Sequence, residues 1–155
     1  SEMCIRDRFE SIDQCTGLGF SKQECTTNYK NAQQTHIVAA PKYTSRLDCE
    51  ADFGAEKCEK APQRTTSGGS VFMPLMAGYL MGNMMSGSGR GQPLYRSAGE
   101  AGTFRTADNK AVGSKIGRTQ VAKSAAAMPT TKTRTTSRGG FGKNARSSMR
   151  RSFGG

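Results

Sequence analysis

The sequence predicts a small all-α head stapled by disulfides, followed by a largely disordered basic tail rich in Gly, Ser and Thr that carries at most a weak β-hairpin. Three observations predict this. Four cysteines, Cys15, Cys25, Cys49 and Cys58, fall in the stretch that also carries helix-start signals. Only 34% of the 155 residues are hydrophobic and 7% aromatic, none is Trp and 19 are Gly, too little apolar surface for one core of that length. Charge is segregated: residues 1–62 carry ten acidic and eight basic side chains, whereas residues 101–155 carry one and twelve, equal to the whole net charge of +11. Such asymmetry bears on partners rather than on fold and favours acidic surfaces.

Residues 1–8, which include Cys4, show no cap, turn or periodic pattern and read as a non-native leader. Residues 9–62 are the helical domain. Its four cysteines are an even number in a domain without a sizeable core, the setting in which two disulfides supply the missing stability. Reduced, buried cysteines remain an alternative. So does a zinc site completed by His36, although no Cys-x-x-Cys pair offers the usual chelating knuckle.

Ser21-Lys-Gln-Glu24 is a capping box and starts a helix of about residues 22–38. Cys25, Tyr29, Ala32 and His36 recur at helical spacing, so one stripe carries the cysteine, the ring and the histidine, with His36 in a packing role. Pro41 closes the element. Ser45 starts a shorter helix of about residues 46–53, stopped by Gly54 and carrying Cys49 and Phe53 on its inner face. A hint of internal repetition aligns Asp13-Gln-Cys15 and Glu24-Cys25 with Asp48-Cys49 and Lys57-Cys58. It favours the pairs Cys15–Cys25 and Cys49–Cys58; spacing alone leaves the two other connectivities open.

Residues 63–91 hold an uncharged apolar run, 71–85, between Gly/Ser flanks. The candidate contact residues there are Phe72, Leu75, Met76, Tyr79, Leu80 and Met81. Fifteen residues fall short of the roughly 20 needed to cross a bilayer. The run reads as an apolar helix with three possible fates: packing on the head, self-association through Gly78-x-x-x-Gly82, or lying in a membrane interface. Thioether binding of Cu(I) is a further alternative, but no His or Cys lies within the run, and no cofactor is expected.

Residues 92–117 give weak strand signals at Pro93–Arg96, at Thr103–Thr106 and, after a turn at 107–110, at Ala111–Val112, and read as a small hairpin. Residues 118–155 lose all apolar periodicity and read as disordered. Within them Arg138-Gly-Gly-Phe141-Gly and Arg150-Arg151-Ser-Phe153 resemble Arg/Gly/aromatic segments that bind single strands by charge and stacking. A solvated cationic tail, contact with anionic lipid or an acidic envelope polymer, and nucleic-acid binding are the readings in play. Nucleic acid is disfavoured by the oxidised-cysteine reading, which implies a non-cytosolic location.

The run Glu24-Cys25-Thr-Thr-x-Tyr29, then Ala40-Pro41-Lys-Tyr43, Asp48-Cys49-x-Ala51-x-Phe53-Gly54, Phe72-Met-Pro-Leu-Met-Ala-Gly-Tyr79 and Arg138-Gly-Gly-Phe-Gly142 resembles the YgiB family of bacterial envelope proteins. No activity is established for that family. The resemblance implies a periplasm-facing location, an export or anchor segment upstream that this chain lacks, and a genetic neighbour of the ATP-grasp ligase type as a candidate partner. An enzyme is not expected, because no phosphate-cradling loop and no second histidine accompany His36. The sequence therefore points to a non-catalytic interaction protein of the cell envelope whose cationic tail contacts acidic surfaces, with a nucleic-acid-binding basic protein as the alternative.

Overall fold

A computed structural model describes residues 2–82, 90–145 and 149–152, the last of these by backbone alone. Met84, Met85, the flank 86–89 and Phe153 lie outside the described residues. In chain order the elements are β1 (Met3–Phe9), α1 (Ile12–Gly17), α2 (Lys22–Ala39), α3 (Arg46–Phe53), β2 (Cys58–Arg64), β3 (Ser70–Pro74), β4 (Gly78–Leu80), β5 (Gln92–Tyr95), β6 (Arg105–Thr106), β7 (Gly117–Ala122), α4 (Lys123–Ala126), β8 (Arg134–Thr136) and β9 (Met149–Ser152). A single 3₁₀ turn, Ala98–Glu100, follows β5.

The helical expectations for the head hold almost to the residue. Ser21 accepts from the Glu24 N–H at 3.0 Å and caps α2, while the Glu24 carboxylate accepts from the Ser21 hydroxyl rather than from the backbone. Cys25, Ala32 and His36 are buried on one stripe with Asn28 and Ala39. Ser45 caps α3 in the same way, and Gly54 ends it at φ +108°, where a side chain would be strained. The structure adds α1, capped by Ser11 through the Gln14 N–H. Cys15 pairs with Cys25 and Cys49 with Cys58.

The all-α expectation is overturned. The molecule is mixed α/β, built on a curled five-stranded antiparallel sheet of order β6-β5-β4-β1-β7. Residues 3–9 supply β1, which pairs with β7 along six positions from Met3↔Ala122 to Arg8↔Gly117 and with β4 through Arg8↔Leu80 and Phe9↔Tyr79. Helix α2 packs on β4 and β5. A hairpin of β2 and β3 stands beside α3, joined to the α2–α3 connection by the Tyr43↔Phe72 bridge.

The apolar run is strand rather than helix within the described residues, its first part in β3 and its Gly-Tyr-Leu in β4. Gly78 sits where backbones approach closely: a Cβ there would meet the Phe9 carbonyl oxygen at 2.7 Å. The hairpin expected about the turn at 107–110 closes through the Arg105↔Ala111 bridge and the bonds of Phe104 with Val112 and Gly113. Its first arm, β6, joins the sheet beside β5 in register Leu94↔Thr106 and Tyr95↔Arg105 instead of standing alone.

The disordered-tail expectation is likewise overturned for the described residues. The chain after β6 is tied back mainly by polar bonds. The N–H groups of Lys132 and Thr136 donate to the carbonyls of Val38 and Lys42 at 2.9 and 2.7 Å. Asn109 and Gly142 exchange two hydrogen bonds of 3.0 and 2.9 Å. The Gln92 side-chain amide reaches the carbonyls of Ala125, Ala126 and Ala127. Arg8, fully buried, donates to the carbonyls of Lys115 and Val112 and lies over the Phe104 ring. A composition too polar to bury much apolar area is here ordered by backbone and side-chain hydrogen bonds, some within the segment and others joining it to the head and the sheet in both directions, with Thr135 Oγ1 a buried atom left without a partner among the described residues.

The core divides into three clusters. Tyr43, Phe53, Met73, Tyr95 and Phe141 gather around Cys49–Cys58; Phe9, Ala32, Tyr79 and Met81 gather around Cys15–Cys25; Leu80, Leu94, Phe104, Val112 and Val121 fill the inside of the sheet. Each disulfide is thus a core component as well as a staple.

Candidate functional site

Helix α3 and the segment 138–142 build the first wall of the site. Arg138 Nε lies 3.1 Å from the Asp48 carboxylate. The Gly139 N–H donates to Asp52 at 2.7 Å, and the Tyr43 hydroxyl donates to the other Asp52 oxygen at 2.6 Å. Phe141 then inserts between Phe53 and Tyr95, at ring-centroid distances of 4.7 and 6.2 Å. Each oxygen of the buried Asp52 carboxylate thus accepts one hydrogen bond, from Tyr43 and from Gly139, and Asp52 acts as the anchor of this clasp.

Three cavities lie on this part of the molecule, the first of them bordered by the clasp. The first, about 380 Å³, is bordered by Asp52, Ser97, Glu100, Phe141 and Lys143. The second, about 600 Å³, is bordered by Phe53, Lys57, Leu75, Met76, Arg96 and Ala98 and shares Ser97 with the first. The third, about 790 Å³, is bordered by Tyr29, Lys30, Gln34, His36 and Glu59 and shares Leu75 and Met76 with the second. The shared border residues make the three cavities neighbours in a belt.

His36 forms part of the third cavity wall. Its Nδ1 lies 2.7 Å from the Tyr95 hydroxyl and its Nε2 3.0 Å from Glu59. Burial raises the Tyr95 pKa well above its usual value, so the phenol keeps its proton and donates to Nδ1, leaving Nε2–H to donate to Glu59. Burial also lowers the His36 pKa, against the opposing pull of Glu59. With both ring nitrogens committed, the imidazole is a structural link between α2, β2 and β5 and offers no free nitrogen to a substrate. Among the described residues no group of three or more His, Cys, Asp or Glu side chains could hold a metal ion. Met73 and Met81 lie in different core clusters, and Met81 Sδ sits 3.9 Å from the disulfide-bonded Cys15 sulfur.

The residues singled out in the sequence part company here. Leu75 is exposed, and Phe72 and Met76 are partly buried. Tyr79, Leu80 and Met81 are at most 2% exposed, so they are core and unavailable to any partner. Phe141 is buried and Arg138 is exposed but paired. The backbones of Arg150 and Arg151 lie in β9, beside β8. The sequence reading missed Asp52, Tyr95, Ser97 and Arg96. The signal available for Asp52 was its place beside Phe53 on the inner side of α3. None existed for Ser97 and Arg96, which β5 delivers only once the sheet has formed.

The basic residues of the C-terminal third now occupy fixed positions. Lys110, Lys115, Arg118, Lys123, Arg134 and Lys143 are exposed. Asp108, the acidic residue of this third, is occupied by Lys132 Nζ at 2.6 Å and by Thr130. Among the described residues no helix is long and apolar enough to cross a membrane.

The protein is thus a small mixed α/β fold with two buried disulfides and exposed basic residues in its C-terminal third. The chain belongs to the YgiB/UPF0441 family of bacterial proteins: the family model described as "protein of unknown function (DUF1190)" matches residues 6–154. It is 42% identical to a UPF0441 protein of Serratia proteamaculans over 93% of this chain and 74% of the relative. It is 40% identical to UPF0441 proteins of Erwinia tasmaniensis, over 88% and 69% of the two chains, and of Yersinia pestis, over 93% and 74%. No solved structure matches it.

Proposed function

We propose that this protein is a non-catalytic interaction protein of the bacterial cell envelope that presents a fixed basic surface to anionic lipid or an acidic envelope polymer. The observation that carries this reading is the charge of residues 101–155, twelve cations against one carboxylate that is already engaged by Lys132. Arg105 pairs with Glu100 and Arg138 with Asp48, whereas Lys110, Lys115, Arg118, Arg134 and Lys143 are exposed and make no salt bridge among the described residues. Lys123 pairs with Glu2, but both side chains are at least 70% exposed, and such pairs contribute little in water. The two core disulfides support a working place in an oxidising compartment.

Burial of Phe141 removes the aromatic platform that a nucleic-acid reading of the Arg-Gly-Gly-Phe segment requires, which favours the acidic-surface reading. The same burial argument removes Tyr79, Leu80 and Met81 from any membrane-inserting role, and this reading rests on charge. Flotation with phosphatidylglycerol vesicles tests it. Binding is expected at low salt and should fall steeply towards physiological ionic strength, where charges are screened over about 8 Å. Binding equal to that on uncharged phosphatidylcholine vesicles contradicts it.

A further inference from the structure

The second cavity is unlike its neighbours in charge. Its apolar border comes from Phe53, Leu75, Met76 and four alanines, and the charged side chains that reach it are Lys57 and Arg96, with no carboxylate among the described residues lining it. The first cavity holds Asp52 and Glu100 and the third holds Glu59.

The border is also fixed in place. The Leu75 N–H donates to the Lys57 carbonyl at 2.8 Å, which holds an exposed leucine beside an exposed lysine. Lys57 precedes Cys58, so the Cys49–Cys58 bond anchors that side of the border. The Ala77 N–H donates to the Leu94 carbonyl at 2.8 Å and ties the floor to the sheet. Arg96 is stacked 4.1 Å above the Phe104 ring, with one Nη 2.8 Å from Glu10 and its Nε without an acceptor among the described residues. Glu10 thus offsets Arg96 in part, and Lys57 has no carboxylate partner among the described residues.

We infer that this cavity, bordered by Phe53, Lys57, Leu75, Met76, Arg96 and Ala98, is a binding site for a single-chain amphiphile with an apolar body and one anionic head. Its volume of about 600 Å³ lies in the range of small-molecule sites, roughly 300–1,000 Å³. The apolar border removes the chain from water, and the two cations select the sign of the head. A cationic head of the same chain length gains the same apolar burial and is repelled. This site goes beyond the basic surface of residues 101–155 and does not depend on it: Lys57 and Arg96 both lie outside that stretch.

Amide-resolved NMR titrations with decanoate, decanol and decyltrimethylammonium test it. Decanoate should shift the amides of Ala77, Ala98 and Ala101 saturably and bind more tightly than decanol, with the ammonium compound weakest. Lys57→Glu should weaken decanoate about tenfold while leaving decanol within about twofold, from the loss of one attraction and the gain of one repulsion at an exposed position. Ala101→Trp, from a separate segment, should abolish binding of both by filling the space. Equal binding of decanoate and the ammonium compound, shifts confined to Lys115–Lys123, or unchanged affinity in Ala101→Trp overturns the assignment.

Discussion

The Phe141 ring lies 4.7 Å from the Phe53 ring, centroid to centroid and tilted by 44°. This contact joins the late Arg-Gly-Gly-Phe-Gly segment to the short helix that carries Cys49. Gly139 on Asp52 and Arg138 on Asp48 extend the same junction with hydrogen bonds.

Phe141→Ala should lower stability by about 3 kcal/mol, the usual cost of removing a buried aromatic ring. Urea unfolding followed by far-ultraviolet circular dichroism measures it. A loss below a few tenths of a kcal/mol means that the ring does not pack on Phe53 and Tyr95.

Asp52→Asn keeps the shape but leaves an amide whose NH₂ faces a donor. Facing Gly139, the NH₂ deprives that N–H of its acceptor; facing Tyr43, it donates to the hydroxyl, whose own proton loses its acceptor. The cost in either case is about 1–3 kcal/mol, with a weaker Gly139 bond to a neutral amide oxygen in the second. Amide exchange at Gly139 should quicken in this variant while that of Cys25 stays unchanged.

Two glycines separate close approach from mere openness. A Cβ on Gly91 would lie 2.2 Å from the Asn28 carbonyl oxygen, whereas one on Gly99 meets nothing within 4 Å. Gly91→Ala should therefore cost roughly 1–3 kcal/mol as α2 and β5 are forced apart, and Gly99→Ala should be close to neutral. Similar melting temperatures for the two variants contradict the packing of β5 under α2.

Stability should rise with pH across the neutral range. Burial, with a smaller push from Lys132, brings the Lys42 pKa down from 10.5 to about 7. Between pH 7 and 10 the unfolded chain holds a proton on Lys42 that the folded protein has released, so folding gains as pH rises through that window and the gain is lost below it. His36, lowered by burial, acts in the same direction around pH 6.5, where acidification protonates the unfolded chain first. Lys42→Met should flatten the rise in urea midpoint between pH 7 and 9. An unchanged slope in that variant assigns the effect elsewhere.

Much of the head was legible because its signals are local. Ser21 and Ser45 cap from three residues away, Pro41 and Gly54 stop helices where they stand, and each cysteine pair closes a short loop. Helix α1 carries the same kind of signal in Ser11-Ile-Asp-Gln14, which the sequence reading passed over. The strands were less legible for two reasons. Strand β2 contains Pro62 and three charged residues, and β1 buries Arg8, so neither shows clean apolar alternation. The C-terminal third is ordered by backbone donors such as those of Lys132 and Thr136, which composition does not reveal. The apolar run misled because the helical spacing of Gly78 and Gly82 was given weight, whereas Gly78 serves a strand pressed against Phe9. Of the cavity belt, the sequence exposed Leu75, Met76 and Phe141, but only the sheet brings Arg96 and Ser97 to them.

The central claim is that the basic C-terminal third is docked on the disulfide-bonded head, so that its charges form a fixed surface. Amide hydrogen exchange of the oxidised protein tests it most directly. The N–H groups of Phe104, Lys132, Thr136 and Gly139, bonded to Gly113, Val38, Lys42 and Asp52, should be protected together with those of α2. Exchange of Lys132, Thr136 and Gly139 within seconds, alongside a protected α2, would contradict it and return the C-terminal third to a mobile cationic tail.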